Sequence, residues 1–478
     1  MTFAEKAPTP SNMNRISTAA LFLAAAAAPL LAQTPTPTPL AVDPQVAHLR
    51  DDALANDEYA WDITEGLTTE VGQRMAGTEA EARARSWAVA KFKALGFTNI
   101  RVDEFPVATG LRGAESAEIL APFPQKMFVN ALGGSGLTGP EGVTGEIVAF
   151  DSVDALRLAP DEAVRGKIVF VDHRMKAAQD GSGYGQYGAP RREAPSYASE
   201  KGALAIVIRS IGTDHNRTPH TGVMEFKRGA KPIPAGALSV PDAEQLQRIL
   251  KRGKPVTMRL RLQGQRIQGK SGNVIAELPG SDPDAAPVMV GCHLDSWDQG
   301  TGAIDDASGC GIVTAAAKRI MDQGRPRRTI RVVWFGSEEI GLFGGKDYEA
   351  RYAKQPHYAI AESDFGADRI WQVDSKLGKD RLEEARMIGA ALAPLGIVTD
   401  SFEDAEGSDI GDMITAGIPA VGLSQDGTRY FDIHHTANDT LDKIDLVQLR
   451  QNVAAWTAML AVLTGPIEPL KPNRRRGR

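Results

Sequence analysis

Beyond residue 270 the chain alternates between short apolar runs and helical stretches, and several of the runs end abruptly in histidine or carboxylate. The apolar runs cover 274–278, 288–292, 330–335 and 418–423; the helical periods cover 307–321, 379–393 and 445–463. Runs that are apolar throughout bury both faces, so this alternation predicts an α/β fold of three layers, with a sheet between two sets of helices. Runs 274–278 and 288–292 lie only a hairpin apart, which predicts that they pair and that the sheet is mixed. Further upstream, Thr78-x-x-Glu81 is a capping box for a helix over 82–95 that Gly96 ends, with a strand at 99–102.

Between 109 and 265 the texture changes to short β runs at 167–171 and 203–208, Gly-Pro turns and a single helix over 243–250. The expected organisation is therefore a split domain, 44–108 and 266–466, carrying a β-rich insert. At the N-terminus, Arg15 precedes an apolar run over 19–31 that ends at Ala32, the pattern of a cleaved export signal over 1–32. The run is shorter than the roughly 20 residues a membrane span needs, so a retained anchor is the weaker reading and no stable span is expected. Residues 33–43 form a Pro/Thr tether, and 467–478 a basic tail ending around Arg474-Arg475-Arg476. The mature protein is expected to be secreted or periplasmic. Asp and Glu total 60 against 54 Lys and Arg, a dispersed acidic excess that argues against a nucleic-acid partner.

The chemistry gathers where the runs end. His293 follows run 288–292, at the carboxyl edge where open α/β sheets place ligands, and Asp295 points the same way, placed to orient the imidazole. Asp305 and Asp306 open the next helix among glycines; read plainly, Asp306 is a helix cap and Asp305 a solvated neighbour. Glu338 and Glu339 end run 330–335, Glu362 and Asp364 follow a short apolar stretch, and His434-His435 precede the last helix. Adjacent buried carboxylates repel unless cations offset them. Oxygen ligands mixed with imidazoles suit Zn²⁺, or Mn²⁺ or Co²⁺, and five ligands suit two ions sharing one carboxylate.

At these residues the sequence resembles the M28 co-catalytic zinc peptidases, most closely their plasma glutamate carboxypeptidase (carboxypeptidase Q) branch. The resemblance rests on His293-x-Asp295-Ser296-Trp297, Gly302-Ala303-x-Asp305-Asp306, Glu338-Glu339-x-Gly341, Glu362-Ser363-Asp364 and His435-Thr436-x-x-Asp439-Thr440. The insert resembles a protease-associated (PA) domain through the stretch from Val164 to Val169 and Ile233-Pro234-Ala235. The resemblance implies two zinc ions, one held by His293, Asp305 and Asp364, the other by Asp305, Glu339 and His435, with Asp305 bridging. It implies Glu338 as general base and acid acting on a metal-bridging hydroxide, Asp295 as a supporting catalytic residue, short peptides as substrates and a homodimer. It favours His435 over His434 and Asp364 over Asp374. A metal-free receptor on the same scaffold, an aminoacylase and a glutaminyl cyclase are the alternatives.

Other motifs are weaker. Gly183-x-Gly185-x-x-Gly188 neither follows a strand nor opens a predicted helix, so it reads as a flexible loop whose Tyr184 and Tyr187 cover a cleft. Cys292 and Cys310 read as buried free thiols. His215 and His220 read as surface residues beside a proline turn.

Overall fold

The apolar runs become the centre of one sheet. A computed structural model describes residues 40–469; the export signal at 1–32, residues 33–39 of the tether and residues 470–478 of the tail lie outside the described residues. Strands Val288–His293, Ile330–Phe335 and Ala359–Glu362 are parallel and buried almost without exception. Thr257–Leu278 runs antiparallel beside Ile330–Phe335, while Ala420–Gln425 and then Ile370–Lys376 extend the other flank. The sheet is mixed, but the expected hairpin is absent: Ile330–Phe335 lies between runs 274–278 and 288–292. An all-apolar strand gains most from a neighbour on each edge and a helix layer on each face, and the central seat supplies both.

Successive side chains of these strands face opposite layers. Val274, Val288, Val290, Val332 and Trp334 pack against helices Pro44–Asn56, Tyr59–Gly66, Glu79–Leu95, Ser308–Gln323 and Leu446–Thr464. Ile275, Met289, Val333, Phe335 and Ile360 pack on the other face, with Tyr348, Met413 and Ile414 of helices Phe343–Tyr352 and Gly411–Thr415. Helix Glu79–Leu95 starts and stops where its sequence says: Thr78 Oγ1 accepts the Glu81 N–H, and Gly96 takes φ 90°. Of the two α-helices before it, Pro44–Asn56 starts at Asp43, whose side chain accepts the Gln45 N–H, and Tyr59–Gly66 has no side-chain cap. Residues 467–468, assigned to the tail, pair with Arg325–Pro326.

The insert is less separate, and less purely β, than its sequence suggests. Thr98–Ala121 and Thr257–Leu278 form one long antiparallel ribbon, within which the expected boundaries at 109 and 265 fall almost opposite each other. Through Val143–Phe150 the main sheet continues into three further parallel strands, Ile168–Val171, Ala205–Arg209 and Ala235–Leu238. Six short helices accompany them, not one; two, Gly183–Tyr187 and Ala189–Arg192, occupy the stretch read as a flexible glycine loop. Parallel strands need crossover connections, and the helices supply them.

Cys292 and Cys310 form a disulfide, contrary to the free-thiol expectation. Cys292 precedes His293 on its strand, and Cys310 lies in the first turn of the helix packed over it, with Cα atoms 5.1 Å apart, well within bridging reach. Closing a loop with a separation of 18 residues stabilises by roughly 3 kcal/mol. Cys292→Ala combined with Cys310→Ala is therefore expected to lower the unfolding free energy by about that amount; urea denaturation checks it, and an unchanged midpoint would contradict it.

Candidate metal centre

Four chain segments converge at the carboxyl edge of the central strands. His293 ends its strand with no solvent exposure, its Nε2 2.9 Å from Asp305 Oδ1 and 3.3 Å from Asp364 Oδ1. Asp305 Oδ2 faces His435 Nε2 at 3.3 Å, and His435 Nε2 lies 2.6 Å from Glu339 Oε2. Asp305, Glu339 and His435 form one triad close enough to share an ion, and His293, Asp306 and Asp364 form another; Asp305 Oδ1 on His293 Nε2 links the two, so every residue the family resemblance singled out for the metals lies in one or the other. Asp305 is buried, against the plain reading of it as a solvated neighbour. Asp374 lies apart, accepting hydrogen bonds from Ser401 N and Gln372 Nε2. His434 is nearer than expected: its Nε2 is 3.4 Å from Asp305 Oδ2 and its ring stacks on that of His435.

The remaining acids hold backbone. Asp295 accepts the Glu338 and Glu339 N–H groups at 3.1 and 3.3 Å, fixing the turn that presents both glutamates. Its carboxylate is 3.7 Å from His293 Nδ1, so it contacts the imidazole electrostatically and bonds the glutamate turn more closely. Asp306 accepts the His293 and Gly309 N–H groups, the capping role its sequence position suggested. Asp439 accepts the Ala303 and Ile304 N–H groups, and Glu362 those of Asp409 and Ile410. Arg74, which carried no sequence signal, is wholly buried and donates to the carbonyls of Leu294, Thr301 and Gly302. It closes the loop between His293 and Asp305. Ser337 and His435 take left-handed φ of 67° and 56° beside the clustered groups, a strain of about 1–3 kcal/mol each that surrounding contacts must outweigh.

The electrostatics match a cation site. Burial pushes Glu338 and Glu339 well above the usual carboxylate range, with Asp364 adding to the first and Asp305 to the second. Burial pulls His435 down to about 4, leaving its imidazole neutral and able to donate a lone pair. His293 goes the other way: burial opposes its charge, but Asp364, Asp295 and Asp305 together raise it well above normal. Asp305 Oδ2 and both Glu339 oxygens are buried and accept no hydrogen bond. Such orphaned acceptors are costly, and a divalent ion between the triads would satisfy them all. The donor set, imidazole nitrogens with carboxylate oxygens, is one that zinc accepts.

Comparison with known proteins agrees with this geometry. Residues 273–460 match the model of peptidase family M28. Carboxypeptidase Q of Bos taurus is 33% identical over 416 residues, covering 85% of each chain. The chain belongs to peptidase family M28. A crystal structure of a peptidase M28 precursor from Shewanella amazonensis superposes with a TM-score of 0.85 at 43% identity, covering 90% of this chain and 98% of that one. The zinc aminopeptidase BSAP of Bacillus subtilis shares the fold at a TM-score of 0.61 and 19% identity, covering 84% of this chain and 93% of its own. This M28 chain is thus a metallo-exopeptidase in class. Among the described residues no helix is long and apolar enough to cross a membrane.

The insert adds groups to the M28 site that sequence reading missed. His220, expected at the surface, is 1% exposed, and its ring lies 5.5 Å from that of His435. Tyr184 stacks on Phe431 with ring centroids 4.1 Å apart and meets His220 Nε2 through its hydroxyl. His215 is exposed, as expected. Because Asp305 contacts both His293 and His435, Asp305→Ala is expected to strip most bound divalent metal after dialysis; elemental analysis showing wild-type metal content would contradict its place at the centre.

Proposed function

We propose that the chain is a dinuclear zinc exopeptidase that hydrolyses dipeptides and other short peptides after export from the cytoplasm. The observation that carries the reading is the pair of adjoining triads, His293/Asp306/Asp364 and Asp305/Glu339/His435, linked by the contact of Asp305 with His293 and with Glu338 alongside. The export signal over 1–32 supports an extracytoplasmic location, and the motifs at 164–169 and 233–235 support a PA-like origin for the insert.

Bound zinc ions would supply Lewis acidity, acidifying water and polarising the scissile carbonyl. The protein supplies the rest. Glu338, whose pKa is raised by burial and by Asp364, is suited to take a proton from the attacking water and return it to the leaving amine. Asp295 holds the Glu338 backbone, so the carboxyl arrives pre-positioned. Asp364 also lines a cavity of about 970 Å³ whose wall carries Asp180, Asp374, Asp400, Asp404 and Glu406 against the single cation Lys376. That wall favours a cationic group, such as the free ammonium of an unblocked peptide. The aromatic Phe365, packed against Tyr430, offers an apolar surface in the cavity lining.

Glu338→Gln is expected to keep its zinc and lose at least about 100-fold in kcat; near wild-type turnover at full metal occupancy would refute the assignment. Two zinc ions per chain, and hydrolysis of unblocked but not N-blocked dipeptides that a chelator stops, are expected of the wild type. A chain that carries no zinc would instead support the metal-free receptor, and cleavage of N-acylated amino acids alone would support an aminoacylase.

A further inference from the structure

The insert delivers a buried cation to the edge of the metal centre. Arg191, on helix Ala189–Arg192, is 5% exposed. Its Nη1 donates to the Thr221 carbonyl at 2.7 Å, and the same carbonyl faces His435 Nδ1 at 3.3 Å. A Cβ on Gly222 would come within 2.1 Å of Arg191 Nη1 and 2.7 Å of His435 Nδ1, so guanidinium and imidazole are near neighbours that only glycine separates. The guanidinium carbon lies 5.3 Å from the centroid of the Tyr184 ring.

What Arg191 lacks is an anion. Its Nε is buried without a hydrogen-bond partner, and among the described residues no carboxylate forms an ion pair with it. The titratable groups packed around it are Tyr184, His220, His434 and His435, and Arg191 helps depress the three imidazoles rather than being neutralised by them. Burying a guanidinium without a counter-charge is expensive, and folded proteins rarely leave one so. A planar fork of N–H donors is shaped for a carboxylate, which it can bind through two parallel hydrogen bonds.

We propose that Arg191 is a substrate-binding residue that receives the free C-terminal carboxylate of the peptide, so that the enzyme selects dipeptides over longer or C-terminally blocked substrates. This rests on the exopeptidase reading. The acidic cavity beyond Asp364 takes the ammonium end and Arg191 takes the carboxylate end, with the scissile bond between them. A chain with both termini charged and close together fits, and one extended at its C-terminus carries the carboxylate out of reach. The catalytic layers contain the reacting groups, whereas the insert supplies the ruler that measures substrate length.

The test compares Ala-Leu with Ala-Leu-amide on the zinc-loaded full chain. Wild type is expected to favour the free acid by about 10–100-fold in kcat/KM, the worth of a charged hydrogen bond. Arg191→Met is expected to lose that preference, mainly through KM for the acid, while turnover of the amide stays within about 3-fold. Arg191→Lys is expected to recover part of the loss. Zinc content and melting temperature are expected to stay at wild-type values in both variants. Equal wild-type rates on acid and amide would overturn the proposal without any variant. So would an Arg191→Met protein that loses acid and amide hydrolysis equally or sheds its zinc, since either marks a structural role. A wild type inactive on both peptides would overturn the exopeptidase reading itself, and this inference with it.

Discussion

Asp305 stands among three histidines and several other acids with almost no access to water, and the rest of the site is arranged around that crowding. Carboxylates in so small a buried space repel one another, and desolvation adds to the cost of their charge. Arg74 contributes positive charge at a distance, but its N–H groups are used on loop carbonyls. The imidazole of His293 offsets part of the charge and is driven upward in doing so. A divalent cation is the economical remedy, since it satisfies Asp305 Oδ2 and both Glu339 oxygens together.

The acids divide into two kinds that look alike in the sequence. Asp305, Glu339 and Asp364 point at one another and at imidazoles, with few or no backbone partners. Asp295, Asp306, Asp439 and Glu362 are spent on backbone N–H groups and hold the loops that carry the first kind. In two places the two kinds are neighbours or near neighbours in the sequence: Asp305 with Asp306, and Asp364 with Glu362. A carboxylate gripping two amides is stabilised where it sits, so a rigid scaffold of satisfied acids surrounds a few unsatisfied ones. Pre-organisation of that sort places the clustered groups correctly before any ligand arrives.

This division explains how far sequence reasoning reached. Strand ends were readable because all-apolar runs stop sharply at His293, Glu338 and Asp364, and the capped helix Glu79–Leu95 was readable because its signals lie within a few residues of its ends. Sheet order was not, because whether 274–278 pairs with 288–292 or with Ile330–Phe335 depends on which strand must be central. That is a property of the whole core. The disulfide escaped for the same reason: Cys292 and Cys310 become neighbours only once the helix Ser308–Gln323 lies over its strand. His220, Arg191 and Arg74 escaped because their roles arise from contacts with segments far away in the chain, and no local pattern marks a buried cation or an inward-turned histidine.

The insert therefore cannot be treated as a passive appendage. Its strands continue the main sheet through the ribbon of Thr98–Ala121 and Thr257–Leu278, and Trp297, from the loop after the His293 strand, donates to Thr221 Oγ1 of the insert at 2.7 Å. Trp297 also stacks on His435, while His220 Nδ1 contacts the Phe431 carbonyl. Together these contacts tie the insert to the loop after the His293 strand and to the segment bearing His435, so a shift of the insert would move that imidazole relative to Asp305 and Glu339. Positions at a reacting centre tolerate displacements of less than about an ångström. The continuous ribbon, which denies the insert a hinge of its own, is the structural means by which the two halves of the site stay in register.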